Sequence, residues 1–411
     1  VTARMGLAGA VLLLIAAVAY FLAVTQARRA AAAQQDTERL LYAADTRLAQ
    51  EALEEGHLDH ARALLAAHQP RPGKTDLRGF EWRYLWQQCQ GDQFHVWQDH
   101  LGLVSCLAFS PDGRLLATGS RDRSVILWDL ATRSKVAPLT GHAKDVVAVA
   151  FAPDGETLAT GSDDGLVRLW SLASRQIVSS FKGDPARLAF APTGTRLAVG
   201  TAHSVEGAEP GSAAVWDYAT RQKVITFTNS GAHVAYSPVG QLLATGSWKN
   251  KIRLWEATTG EERGALTDAG DVTALCFSPD GRTLAASNRE GEIQLWEVAT
   301  RRRVQRLAAL PTAVWCVAFS LDGRTLAAGS ADPTIRLWDW ARGTEVNRLR
   351  GSGSEVRALA FSPVGEILAS GGKDEAVRLW HPRPSPEAWP PRVTFLGSGS
   401  GKPVFSPAGN T

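Results

Sequence analysis

The sequence predicts an all-β fold, a propeller of seven four-stranded blades, and three observations point to it. The stretch FSPDGRLLATGSRDRSVILW at Phe109–Trp128 returns in near-copies six more times along the 411 residues. Each copy opens on an aromatic-Ser/Ala-Pro-x-Gly turn, with Leu321 in place of Pro in one, and closes on a tryptophan: Trp128, Trp170, Trp216, Trp255, Trp296, Trp338 and Trp380. These tryptophans follow one another at 39 to 46 residues, the period of a four-stranded propeller blade. The 38 Gly and 14 Trp suit a turn-rich β protein better than a helical one.

Within the first repeat, Val104–Phe109 reads as strand a, Pro111-Asp112-Gly113 as a tight turn and Leu115–Gly119 as strand b. Arg121-Asp122-Arg123 makes the next turn, Val125–Trp128 is strand c and Lys135–Leu139 strand d. Period-two alternation puts Val125 and Leu127 on one face of strand c and Ile126 and Trp128 on the other.

These iterated features resemble the WD-repeat family. The resemblance implies that a His in the d–a loop, a Ser/Thr on strand b, an Asp in the b–c turn and the strand-c Trp form a hydrogen-bonded chain inside each blade. The set is complete twice, as His100, Thr118, Asp122 and Trp128, then as His142, Thr160, Asp164 and Trp170. Later repeats are thinner: Ser352 stands for His in the seventh, Ala328 for Ser/Thr in the sixth, and Lys249 and Glu290 for Asp in the fourth and fifth. A hydrolytic triad is rejected, because a catalytic set occurs once whereas this one recurs at blade spacing. No GxSxG, HExxH or phosphate-binding loop occurs in context, so the visible chain is expected to be no enzyme. Cys89, Cys106, Cys276 and Cys316 have no metal-ligand spacing, and neither metal nor cofactor is expected.

Ahead of the repeats, Gly6–Val24 is a run of 19 residues without a charge, bracketed by Arg4 and Arg28-Arg29, which is long enough for a membrane helix. Ala30–His68 then reads as helix, with Leu40, Leu41, Ala44, Leu48, Ala52 and Leu53 as one apolar stripe and a break at Gly56. A second, shorter helix carries Leu58, Ala61, Leu64 and Leu65, and an aromatic helix follows in Asp76–Gln88. The expected domains are a transmembrane helix over 5–26, a helical connector over 30–90 with a tetratricopeptide-like hairpin, the propeller over 93–396 and the start of a truncated eighth repeat over 397–411. Ring closure has two solutions, Phe94–Trp97 or Val393–Leu396 as the last strand of the seventh blade; the first removes exposed edges and is favoured.

The connector Asp36–Cys89 is similar to the segment before WD-repeat propellers in bacterial membrane proteins, many of which carry a Hanks-type serine/threonine kinase domain ahead of the span. The resemblance implies a single-pass membrane protein with an extracytoplasmic propeller, a scaffold for protein–protein interaction or sensing that forms the C-terminal part of a bacterial signalling protein. Two other functions stay open: the non-catalytic portion of a receptor kinase whose kinase domain precedes residue 1, and a periplasmic propeller with a small ligand in its central channel. The net charge of +3 gives no footprint for nucleic acid. Protein partners, the membrane and self-association through the connector are the expected contacts. The third repeat carries an insertion, Thr201–Gly211, whose His203, Ser204, Glu206 and Glu209 form the candidate partner-binding loop.

Overall fold

Each repeat folds into one antiparallel sheet. The computed structural model describes residues 2–54, 58–69, 76–89, 93–201, 211–228, 230–247, 251–307 and 310–382, with backbone alone at 2–20, 22, 23, 27, 31, 54, 58, 59 and 87–89. Two compact units divide at Gln90/Gly91, a helical one and a propeller.

The described strands make seven four-stranded sheets, and in six of them the strands lie side by side in chain order. Blade 1 is Val104–Phe109, Leu115–Ser120, Val125–Asp129 and Ser134–Leu139. The seventh blade takes Val356–Phe361, Leu368–Gly372 and Val377–Trp380 from the end of the chain and Gln93–Trp97 from before the first repeat. Trp97 pairs with Val377 and Val96 with Arg378, so the ring closes by a clasp of early and late strands. Closure gives every blade its full set of four strands.

Strands b and c hold the core, because each blade buries both of its faces against neighbours. Leu116, Ala117, Val125, Trp128, Leu158, Ala159, Leu197 and Trp380 are fully enclosed. Space between blades is tight at the strand-b glycine. A Cβ on Gly119 would come within 2.7 Å of Cys106 Sγ and of Val146 Cγ1 in the next blade, which explains why that position carries no side chain. The a–b turn needs its glycine for a different reason: Gly113 adopts φ 69°, in the left-handed region.

The helical unit departs from expectation. A single helix, α1, runs from Thr2 to Glu54, followed by α2 at Leu58–Ala66 and α3 at Phe80–Cys89. The separate transmembrane helix and short hairpin expected before the propeller are therefore corrected: no Gly or Pro interrupts residues 25–54, so the chain has no reason to stop coiling between them. Among the described residues no helix is long and apolar enough to cross a membrane. With that, the expectations of a membrane partner, of single-pass membrane localisation and of an extracytoplasmic propeller fall; the side chains of residues 2–20 lie outside the described ones.

The buried stripe of α1 also differs from the one the periodicity predicts. Tyr42, Ala49 and Ala52 pack with Ala61 and Leu65 of α2 and Trp82 and Leu85 of α3, while Leu40 stays 72% exposed and Leu41 and Leu48 also face outward. Polar anchors select that face. Tyr42 Oη donates to Glu81 Oε1 at 3.0 Å and accepts from the Gly79 N–H at 3.1 Å, and Trp82 Nε1 donates to the Leu65 carbonyl at 2.9 Å.

Candidate functional site

Two kinds of polar cluster occur in the propeller, one inside the blades and one where the inner strands line the channel. Inside blade 1, Trp128 Nε1 donates to Thr118 Oγ1 at 2.8 Å, Thr118 Oγ1 lies 2.8 Å from His100 Nε2, and His100 Nδ1 lies 2.9 Å from Asp122 Oδ2. The indole can only donate, so the chain runs Trp to Thr to His to Asp, with the proton of a neutral imidazole on Nδ1. Asp122 also accepts from the Leu101 N–H at 2.9 Å and from Ser124 Oγ at 2.6 Å. Blade 2 repeats the chain through Trp170, Thr160, His142 and Asp164, with Arg168 Nη1 added at 2.7 Å from Asp164 Oδ2.

Elsewhere the chain is abbreviated. Trp255 donates to Thr245 and Trp380 to Ser370, each at 2.8 Å. Trp296 and Trp338 have no partner for Nε1 among the described residues, because Ala286 and Ala328 occupy the Thr position. In blades 6 and 7, which lack the His, the strand-c Arg still reaches the Asp, as Arg336 does to Asp332 at 2.8 Å and Arg378 to Asp374 at 2.6 Å. Bonded and buried, these groups join strands rather than face a substrate.

The thiols are equally unsuited to chemistry. Burial pushes Cys106 up to about 11 and Cys276 and Cys316 to about 12, far above a reactive thiolate. Among the described residues no group of three His, Cys, Asp or Glu could hold a metal ion, and no catalytic centre assembles. The candidate loop residues His203, Ser204, Glu206 and Glu209 lie outside the described residues.

The second cluster arises from a register shift. In six blades the inner strand carries an irregularity one residue after its start, as between Val104 and Cys106 opposite Ser120 and Gly119. Such a bulge re-aims the side chains beside it. Three residues before each repeat's aromatic stand Cys106, Ala148, Arg187, His233, Ala274, Cys316 and Ala358. Six of these are Cys, Ala or His, and Arg187 is the long exception.

Arg187 stands beside the register shift on the inner strand of blade 3 and is half-buried. Its charge acts on groups in three other blades: after burial, it is an influence on the Cys106 thiol of blade 1 and on the Cys316 thiol of blade 6, and it helps hold the His233 imidazole of blade 4 down at about 3. Burial lowers Arg187 itself, and its Nη1 donates to the Ala186 carbonyl at 2.9 Å. No carboxylate pairs with it among the described residues.

Two ring nitrogens on other inner strands are also unmatched. Trp315 Nε1 and His233 Nδ1 are buried without a partner among the described residues. Arg357 lies 3.9 Å above the Trp315 ring and is itself neutralised by Glu355 at 2.6 Å. Inner strands begin at the d–a loops, so Arg187, His233 and Trp315, each near the start of its strand, lie toward the face that also carries the b–c turns. The repeat pattern hides Arg187, since it occupies a column that is small or apolar in most copies; the signal was its departure from that column.

The chain matches the family model "WD domain, G-beta repeat" over residues 91–129, 133–171, 222–256, 304–339 and 343–381. Residues 264–320 match "Anaphase-promoting complex subunit 4 WD40 domain". Protein Mut11 of Chlamydomonas reinhardtii is 52% identical over 42 residues, 10% of this chain and 11% of that protein. The general transcriptional corepressor TUP1 of Saccharomyces cerevisiae is 44% identical over 43 residues, 10% of this chain and 6% of its own. A guanine nucleotide-binding protein subunit beta of Schizosaccharomyces pombe is 41% identical over 49 residues, 12% of this chain and 16% of its own. The chain thus spans a small fraction of the relatives it matches.

These relatives are eukaryotic proteins, and the family models match from residue 91 onward. The expected kinship with bacterial membrane-anchored kinase fusions, and the bacterial signalling role drawn from it, is corrected accordingly. What stands is a propeller of seven four-stranded blades, five stretches of which match the WD-domain repeat model.

Proposed function

We propose that this WD-repeat propeller is a protein-interaction scaffold whose channel mouth receives an acidic segment of its partner. The observation that carries the reading is Arg187, a half-buried guanidinium near the start of the inner strand of blade 3 with no carboxylate of its own among the described residues. A cation partly withdrawn from water without a counter-charge is disfavoured, and a partner carboxylate offsets that cost on binding. Trp315 and His233 add unmatched ring nitrogens near the starts of other inner strands, and aromatic and Arg groups are the usual anchors of protein interfaces. Kinship supports a binding role, since the anaphase-promoting complex subunit and the guanine nucleotide-binding protein subunit are by name parts of assemblies.

The test is a fluorescence-anisotropy titration of the full chain with a labelled oligo-glutamate peptide, alongside an oligo-lysine control. Binding that weakens with added salt, is absent for oligo-lysine and drops at least tenfold in Arg187→Ala is the expected result. Equal binding by Arg187→Ala, or none by the parent chain, overturns the acidic-segment reading.

A further inference from the structure

The face opposite the channel mouth, formed by the a–b and c–d turns, carries a cavity of about 390 Å³ at the junction of blades 3 and 4. That size falls within the range of small-molecule sites. Its polar walls come from Thr193, Thr195, Arg196, Asp217, Tyr236 and Thr258.

Two of these residues break the repeat, and they break it at the same place. Arg196 occupies the sixth position after the blade aromatic, where the other blades have Leu115, Thr157, Leu242, Thr283, Thr325 and Ile367. Tyr236 is the one blade aromatic that is not Phe. Neither change is needed to build a blade, since six others fold without it.

Nor does the surrounding protein satisfy the tyrosine. Tyr236 Oη is buried and has no hydrogen-bond partner among the described residues, and the same holds for the adjacent Ser237 Oγ. In other blades the matching serines Ser110, Ser278 and Ser320 donate to an aspartate at 2.6 Å, but Val239 stands in that place here. Burial raises the Tyr236 phenol to about 12, so it stays protonated and can donate.

Charge completes the argument. Arg196 and Asp217 are directly paired across strands Arg196–Thr201 and Ser212–Asp217, so both side chains leave the sheet on one face. Yet they do not pair with each other. Arg196 Nη1 donates to the Ala257 and Thr258 carbonyls at 3.0 and 3.1 Å, while Asp217 accepts from Thr195 Oγ1 at 2.6 Å and from the Thr220 N–H at 2.8 Å. The Thr195 bond and the Thr220 N–H hold Asp217 below the usual carboxylate range, so it is ionised. One cavity therefore presents a fixed cation and a fixed anion side by side, each oriented by neighbours and neither neutralising the other.

From the two unpaired opposite charges and the unsatisfied tyrosine around one cavity, we infer that the blade 3–4 junction is a binding site for a small zwitterion, a free α-amino acid. Its carboxylate meets the remaining donors of Arg196 with the Tyr236 hydroxyl close by, and its ammonium meets Asp217. The site is separate from the channel mouth and does not depend on the acidic-segment reading.

The test is thermal-shift screening of the full chain with each standard L-amino acid, followed by calorimetry on any that raises Tm. For a hit, the deaminated acid and the decarboxylated amine are titrated in parallel. The expected result is single-site binding by the amino acid, at least tenfold weaker binding by both one-charge analogues, and loss of binding in Arg196→Thr. Tyr236→Phe restores the residue of the other six blades and is expected to bind several-fold more weakly with an unaltered circular dichroism spectrum; Arg187→Ala is expected to bind as the parent does. No amino acid raising Tm, one-charge analogues binding equally well, or undiminished binding by Arg196→Thr overturns the inference.

Discussion

Trp128 Nε1 donates to Thr118 Oγ1 at 2.8 Å, joining strands c and b inside blade 1 where neither atom reaches water. The indole of Trp338 has no such acceptor among the described residues, because Ala328 stands where Thr118 does. Ala328→Ser, which copies the Ser370–Trp380 bond of blade 7, is expected to stabilise the propeller by about 0.5–1.5 kcal/mol. Thr118→Ala orphans both Trp128 and His100 and is expected to cost about 1–3 kcal/mol. Urea midpoints at fixed slope measure both; a serine that fails to raise the midpoint would show that the orphaned indole carries no penalty.

Acid sensitivity follows from the same chains. Burial, partly opposed by the Asp122 and Asp164 carboxylates, lowers His100 and His142 below 6.5. The unfolded chain therefore binds more protons at these sites as pH falls below about 6.5, and stability declines from there. Burial works to raise Asp122 and Asp164, but the bonds they accept outweigh it and both lie below 3.8. Their contribution is present above that value and is lost as pH falls through it toward the depressed folded values. Both groups act in one direction, so Tm should fall from neutral pH to pH 5 and fall further near pH 3. His100→Gln should flatten the upper part of that profile and leave the lower part; a parent Tm unchanged between pH 7 and 5 would contradict the buried neutral imidazoles.

Closure of the ring rests on Trp97, which is 6% exposed, stacks on Trp128 at 4.6 Å between centroids and donates to the Arg133 carbonyl at 3.0 Å. It thereby ties blade 7 to blade 1. Trp97→Ala is expected to cost about 3–5 kcal/mol, as large-to-small changes in a core do. Removing Gln93–Trp97 altogether bares the edge of Val377–Trp380, and size-exclusion chromatography should then show higher-order species. A monomeric, equally stable deletion variant would mean that another strand closes the ring.

Blade number and strand order were legible because each copy must repeat its turn and its tryptophan to pack against the next. The helical unit was less so. Periodicity puts Leu40, Leu41 and Leu48 on an apolar face, but which face is buried depends on Glu81, Gly79 and Leu65, the polar anchors from other parts of the unit that hold Tyr42 and Trp82. Arg187, Arg196 and Tyr236 were visible only as departures from their columns. Their meaning needed the register shift beside Arg187 and the cross-strand pairing that brings Arg196 and Asp217 to one cavity.

A residue kept for binding should be dispensable, or worse, for folding, and Arg187 allows that contrast to be measured. Most of its neighbours in the same column are alanines and cysteines, so the channel does not require a long side chain there to pack. Arg187→Met keeps an unbranched chain of similar length and removes the uncompensated charge. Replacing buried charges by apolar groups is often neutral or stabilising, and a gain of about 1–2 kcal/mol is expected here. Relief of Arg187's field should also let the His233 imidazole titrate higher, which two-dimensional NMR of the ring protons would detect. The same variant should lose the oligo-glutamate peptide. If Arg187→Met instead unfolds at lower urea and still binds the peptide, the guanidinium is a structural strut, because its removal would then weaken the channel wall while leaving recognition untouched.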